Sequence, residues 1–124
     1  MSQFWSGRKV VVTGGNGFLG RVVVRTLTEN GADVLAPTHD ECDLTVPGRA
    51  ETLFTAVKPS HVIHLAARVG GIGYNQADPA PLYLDNLLMG TYVIEAARAA
   101  GIEKTVLLGT VCSYPKFTPV PFRE

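Results

Sequence analysis

Apolar residues in this chain alternate between short unbroken runs and stretches where they recur every three or four positions. The first run, Lys9-Val10-Val11-Val12-Thr13, has no polar alternation and ends in glycines, which predicts a strand buried on both faces, as in a parallel sheet. Phe18, Leu19, Val22, Val23 and Leu27 then fall at helical spacing, and Asn30-Gly31 supplies the stop. Asp33-Val34-Leu35-Ala36 reads as a second strand, broken by Pro37, and Cys42-Asp43-Leu44 as a short third one. Pro47 opens a helix in which Ala50, Leu53, Phe54 and Val57 share one face, and Lys58-Pro59 closes it. His61-Val62-Ile63-His64-Leu65 is the fourth strand, and 66–79 is a glycine-containing loop. A long helix is predicted over 81–100, ended by Gly101. On it Tyr83, Leu87, Gly90, Ile94 and Ala97 fall on one side, the small residues suiting close approach to a sheet. Lys104-Thr105-Val106-Leu107-Leu108 is the fifth strand, ended by Gly109, and 114–124, with three prolines, is a loop.

Alternating strands and helices with apolar strands predict an α/β fold: a Rossmann-type doubly wound parallel sheet with helices on both faces. Right-handed crossovers and a switch after the first strand give five strands in the order 3-2-1-4-5, with ligands at the strands' carboxyl ends. At 124 residues, 46% of them apolar, the chain has the size of one domain. Lys plus Arg equals Asp plus Glu at 11 each, so no basic block exists to neutralise a phosphate backbone, and a nucleic-acid partner is not expected. Cys42 and Cys112 make neither a disulfide framework nor a metal site. Free thiols without a signal peptide point to a reducing cytoplasm, and no apolar run reaches the roughly 18 residues of a membrane span.

The chemistry should lie just after each strand. Gly14, Gly15, Asn16, Gly17, Phe18, Leu19 and Gly20 form a Gly-x-x-Gly-x-x-Gly turn between an apolar strand and an amphipathic helix. One glycine permits the tight turn, the next lets backbone approach a pyrophosphate, and the last lets the helix sit close to the strand. The helix N-terminus offers N–H groups and partial positive charge to the anion. Glycines favour turns anyway, but the strand before and the helix after raise dinucleotide binding above a structural turn. After the second strand, Pro37-Thr38-His39-Asp40 places no acid directly at the strand end to take a ribose 2′-hydroxyl. His39 is a candidate cation for a 2′-phosphate, which favours NADP over NAD; otherwise it is a surface loop residue. Asp43 is a candidate acceptor for the adenine amino group, with Leu44 packing on the ring. The alternative role of Asp43 is helix capping shared with Thr45.

Thr13-Gly14-x-x-Gly17-Phe18-Leu19-Gly20, Asp43-Leu44, Val62-Ile63-His64-Leu65-Ala66-Ala67 and Asn86-x-x-x-Gly90-Thr91 together resemble the extended short-chain dehydrogenase/reductases, the NAD-dependent epimerase/dehydratase family. Arg68-Val69-Gly70-Gly71-Ile72-Gly73 and Gly109-Thr110-Val111-Cys112-Ser113-Tyr114-Pro115-Lys116 further resemble the GDP-L-fucose synthase group within it. That resemblance implies an NADPH-dependent 3,5-epimerase and 4-reductase of GDP-4-keto-6-deoxy-mannose, a homodimer in its full-length form. It implies that Thr110 hydrogen-bonds the 4-keto oxygen, that Cys112 moves the epimerisation protons, and that Asn86 braces the site. Leu65, Ala66, Ala67, Leu108 and Gly109 match positions lining the cofactor, Arg68 lies where cofactor and sugar meet, and Gly70 and Gly71 match the substrate side. Standing alone, Cys112 reads as an inert buried thiol, Thr110 as a strand-end hydroxyl and Asn86 as a solvated helix residue. Cys42 reads as core, and Phe4 and Trp5 as packing at the chain start.

The superfamily's reduction step uses a Tyr with a Lys four residues on, and no tyrosine here has that spacing. The chain therefore reads as an N-terminal dinucleotide-binding portion, 1–124, without the substrate domain and inactive alone. Two other readings stay open: another nucleotide-sugar epimerase or dehydratase of the same superfamily, and a non-catalytic dinucleotide-binding module.

Overall fold

A computed structural model describes residues 3–123. Its centre is β1 (Lys9–Thr13), whose Val10, Val11 and Val12 are fully buried. Side chains alternate across a strand, so Val10 and Val12 face one layer and Val11 the other. On the first side α1 (Phe18–Glu29) covers Val10 and Val12 with Leu27, next to Ala32. Asn30 ends this helix: its backbone N–H donates to Leu27 O at 3.1 Å and its side-chain amide to Thr26 O at 2.8 Å. Gly31 then turns the chain at φ 88° into β2 (Asp33–Leu35).

On the other side α2 (Arg49–Val57) packs beside α4 (Pro79–Ala99) over Val11 and Val62, with Phe54, Val93 and Ala96 at the centre of that layer. Lys58 takes up a left-handed φ of 52° beyond α2, and Pro59 prevents continuation. β3 (His61–His64) follows, then α3 (Ile72–Ala77), α4 and β4 (Lys104–Leu107). All pairs are parallel, in the order β2-β1-β3-β4, with Val11 opposite Leu35 on one side and Val62 on the other, and Val62 opposite Thr105.

The expected α/β architecture and parallel sheet are present, but the sheet has four strands among the described residues, not five in the order 3-2-1-4-5. The missing one is Cys42-Asp43-Leu44. Its backbone is spent in turns: Cys42 N–H donates to Thr38 O at 3.0 Å, and the Asp43 carboxylate accepts from Thr45 N–H at 2.9 Å and the Thr45 hydroxyl at 2.6 Å. Such local bonds compete with a sheet ladder. Cys42 and Leu44 are still buried, packed in the α2 layer, so the apolar reading of Cys42 holds.

Two further expectations are corrected. The segment 66–79 is not all loop, since it contains α3, and the long helix begins at Pro79. On α4 the buried face is Leu82, Met89, Val93, Ala96 and Ala97, whereas Tyr83, Leu87 and Ile94 are exposed. That helix is apolar nearly all round, so spacing alone cannot choose its inward face. The chain start packs as expected: Phe4 and Trp5 meet the His61 ring edge-on at 5.6 and 5.1 Å. Past Leu108, a single 3₁₀ turn over Val111–Ser113 leads into loop; Glu124 lies outside the described residues. No described helix is long and apolar enough to cross a membrane.

Candidate functional site

The sheet's carboxyl edge opens into a groove of about 720 Å³ whose walls come from the ends of β1, β2, β3 and β4. Its floor is the β1–α1 turn. Gly14 sits there at φ 69°, and a Cβ on it would lie 2.6 Å from the backbone nitrogen of Ala66. A Cβ on Gly20 would collide with the carbonyl oxygen of Gly14. Glycine is required at both positions: at Gly14 by backbone angle and close approach, at Gly20 by the seating of α1 on the turn. Gly17 N–H donates to Gly14 O at 3.0 Å and Gly17 is the N-cap of α1, with no side chain capping the helix. The first-turn amides of α1 therefore point, with the positive end of the helix dipole, into a cleft that side chains would otherwise fill. A pyrophosphate fits this donor set.

Of the residues singled out from sequence, Gly14, Asn16, Gly17, Phe18, Leu19, Gly20, His39, Leu44, Leu65, Ala66, Ala67, Arg68 and Leu108 line the groove. Gly15 faces the other way, where a Cβ would press on Ala36 and Val24; it serves the packing of α1. Phe18 is 98% exposed at the rim. At the β2 end, His39 Nε2 lies 3.8 Å from Asp43 Oδ2. The Thr45 hydroxyl and N–H, bonded to Asp43, hold its carboxyl below the usual carboxylate range. Asp43 thus caps a turn, though not α2, whose N-cap is Gly48. Glu41 is likewise engaged, accepting from Thr38 N–H at 2.7 Å.

A buried pair that sequence reasoning missed joins β1 to β3 below the floor. Thr13 Oγ1 and His64 Nδ1 are 2.6 Å apart, and Thr13 Oγ1 also accepts from Ala66 N–H at 3.3 Å. Burial pushes the His64 pKa down, which favours the neutral ring, and the threonine hydroxyl and Nδ1 share one hydrogen bond. The signal was present as two polar residues ending two apolar strands, paired in register.

The segment after β3 is held from two helices. Asn86 on α4 accepts from Arg68 N–H through Oδ1 at 2.8 Å, and donates through Nδ2 to Arg68 O and Leu82 O, each at 2.8 Å. Asn86 thus clamps the backbone of Arg68 on both its N–H and its C=O. The guanidinium of Arg68 is bonded to Asp85 Oδ2, which also lines the groove, at 2.7 Å and, through Nε and Nη2, to the Tyr74 hydroxyl at 3.1 and 2.9 Å. Neither Tyr74 nor Asp85 was singled out by sequence. Gly70 and Gly71 lie beyond the groove lining, and a Cβ on Gly70 would collide with the Tyr74 ring.

Beyond β4 the arrangement is open. Leu108 lines the groove, while Gly109, Thr110 and Cys112 continue past its wall and are exposed. Thr110 Oγ1 accepts from Cys112 N–H at 3.2 Å, closing a turn of its own. Thr110 and Cys112 are thus held two residues apart at the strand end.

The chain matches the NAD dependent epimerase/dehydratase family over residues 10–124. It is 42% identical over 117 residues to GDP-L-fucose synthase 1 of Arabidopsis thaliana, which covers 94% of this chain and 36% of that protein. It is 36% identical over 118 residues to a GDP-L-fucose synthase of Sinorhizobium fredii, covering 95% of this chain and 38% of that one. Among solved structures, MlghC, a GDP-mannoheptose C4 reductase from Campylobacter jejuni with NADP bound, superposes with a TM-score of 0.87 at 25% identity, over 99% of this chain and 38% of its own. The chain thus spans somewhat over a third of the length of these relatives. Glycine floor, parallel sheet and matched residues agree: the chain belongs to the NAD dependent epimerase/dehydratase family.

Proposed function

We propose that residues 1–124 are the dinucleotide-binding portion of an NADPH-dependent nucleotide-sugar epimerase/reductase acting on a GDP-linked 4-keto-6-deoxy sugar. The observation that carries this reading is the uncapped start of α1 over a glycine floor with no room for a Cβ. The relatives, two GDP-L-fucose synthases and an NADP-bound GDP-sugar reductase, supply the substrate class. The first-turn amides of α1 would hold the pyrophosphate, Thr38, His39, Leu44 and Thr45 would flank the adenosine half, and 65–69 with Leu108 the nicotinamide half. At the β2 end Glu41 is bonded to Thr38 and Asp43 to Thr45, while Asp40 is exposed. His39, which lines this end of the groove, is the residue we assign to a 2′-phosphate.

When bound, the nicotinamide supplies a hydride to the ketone carbon. The Thr110 hydroxyl donates to the ketone oxygen and stabilises the negative charge that develops there. Cys112 exchanges protons on the carbons flanking the ketone, whose C–H bonds the carbonyl acidifies. Asn86 is a positioning residue that fixes the wall opposite them.

Titration of this chain with NADPH and NADH, followed by nicotinamide fluorescence, tests the reading. Saturable binding with NADPH favoured, and that preference lost in His39→Ala, is expected. Binding of neither nucleotide would overturn it.

A further inference from the structure

We infer that Arg68, Asp85 and Tyr74 form a latch that sets the nicotinamide-side wall of the groove, with Arg68 as its positioning residue. This rests on the dinucleotide reading above. The wall is the segment after β3, and it is poor in anchors of its own: Ala66 and Ala67 are small, and Gly70 and Gly71 have no side chains. Glycine-containing backbone loses more freedom on ordering than any other, so something else must hold it. Past Ala66, whose N–H is held by Thr13 Oγ1, the holds gather around Arg68. Its N–H and C=O are clamped by Asn86, Nη1 is tied to Asp85 on α4, and Nε with Nη2 to the Tyr74 hydroxyl on α3. Tyr74 in turn lays its ring on Gly70, and Asn75 donates to Gly70 O at 3.1 Å.

A free arginine at this rim would be read as a phosphate ligand. Here its charge is answered by a carboxylate at 2.7 Å, and all three of its side-chain nitrogens already have partners. The planar fork reaches two partners on two helices at once, a geometry lysine cannot reproduce. An isolated exposed ion pair contributes little, but a fork joined to a phenol and a backbone clamp is a network that fixes one loop position.

The test uses the whole chain with Asp85→Asn and Tyr74→Phe, substitutions that keep shape and remove one arm each. Two ligands are titrated: NADPH, which spans the groove, and 2′-phospho-ADP, which occupies only the adenosine half. NADPH affinity is expected to fall roughly fivefold in each variant while 2′-phospho-ADP affinity stays unchanged. Without ligand, amide hydrogens over 69–75 are expected to exchange faster than in the parent, and those of β1 are not. Arg68→Lys is expected to behave like the two arm variants, since one ammonium cannot serve both partners. NADPH affinities within twofold of the parent, or equal losses for both ligands, would overturn the latch while leaving the dinucleotide reading intact. A parent chain that binds neither ligand would overturn both.

Discussion

At the β1–α1 turn, glycines and bare amides make the site, and an added Cβ has nowhere to go. Past β4, the proposed reacting residues Thr110 and Cys112 are both exposed, the threonine Oγ1 accepts from Cys112 N–H in a local turn, and a Cβ on Gly109 meets nothing within 4 Å. The first region is locked by contacts between strands and a helix of the same layer. The second is shaped only by local bonds. The glycine floor is thus fixed by packing within the described fold, while Thr110 and Cys112, to which we assign the reacting roles, stand at an open margin.

The largest effect is expected at the floor. Gly20→Ala drives a methyl into Gly14 O and must push α1 off the turn. Loss of about 3 kcal/mol of stability and of all detectable NADPH binding is expected, measured by urea denaturation and fluorescence titration. A variant that binds normally would show that the glycine floor is not the site.

Next is the buried pair beneath the floor. The folded-state pKa of His64 is depressed, so folding favours its neutral ring. That contribution is full above the unfolded value near 6.5 and is lost as pH falls toward the folded value. Unfolding free energy should drop between pH 7 and 5, by at most about 1.4 kcal/mol per pH unit from this group, and His64→Asn should flatten the profile. An unchanged slope in that variant would remove His64 from the account.

At the open side, β4 presents an unpaired edge with Val106 and Leu107 half-exposed. Such edges recruit other strands, so the chain is expected to self-associate, and Val106→Lys to reduce this, as read by sedimentation velocity. A monodisperse parent at working concentration would contradict it. The smallest effects belong to Cys112→Ser and Gly109→Ala: stability within about 0.5 kcal/mol and NADPH binding unchanged. A larger loss would mean that this end is as tightly built as the floor.

What could be read beforehand divides along the same line. Val10 to Val12 declared a doubly buried strand because nothing else places three β-branched residues before a glycine turn, and the sheet follows from it. Cys42-Asp43-Leu44 misled because its apolar residues are buried while its backbone is committed to turns. The inward face of α4 was illegible because both sides are apolar and the choice is made by α2. Arg68 lines the groove, but its direction depends on Asp85, 17 residues away on another element, and no local pattern encodes that meeting.

The contact of Gly14 with Ala66 also limits how the cleft can breathe. Parallel pairing ties the two strand ends together through Thr13 and His64, and α1 is seated on the same turn. We therefore expect any opening of the groove at its flanks, 37–46 on one bank and 68–79 on the other, with the bed between them left as it is.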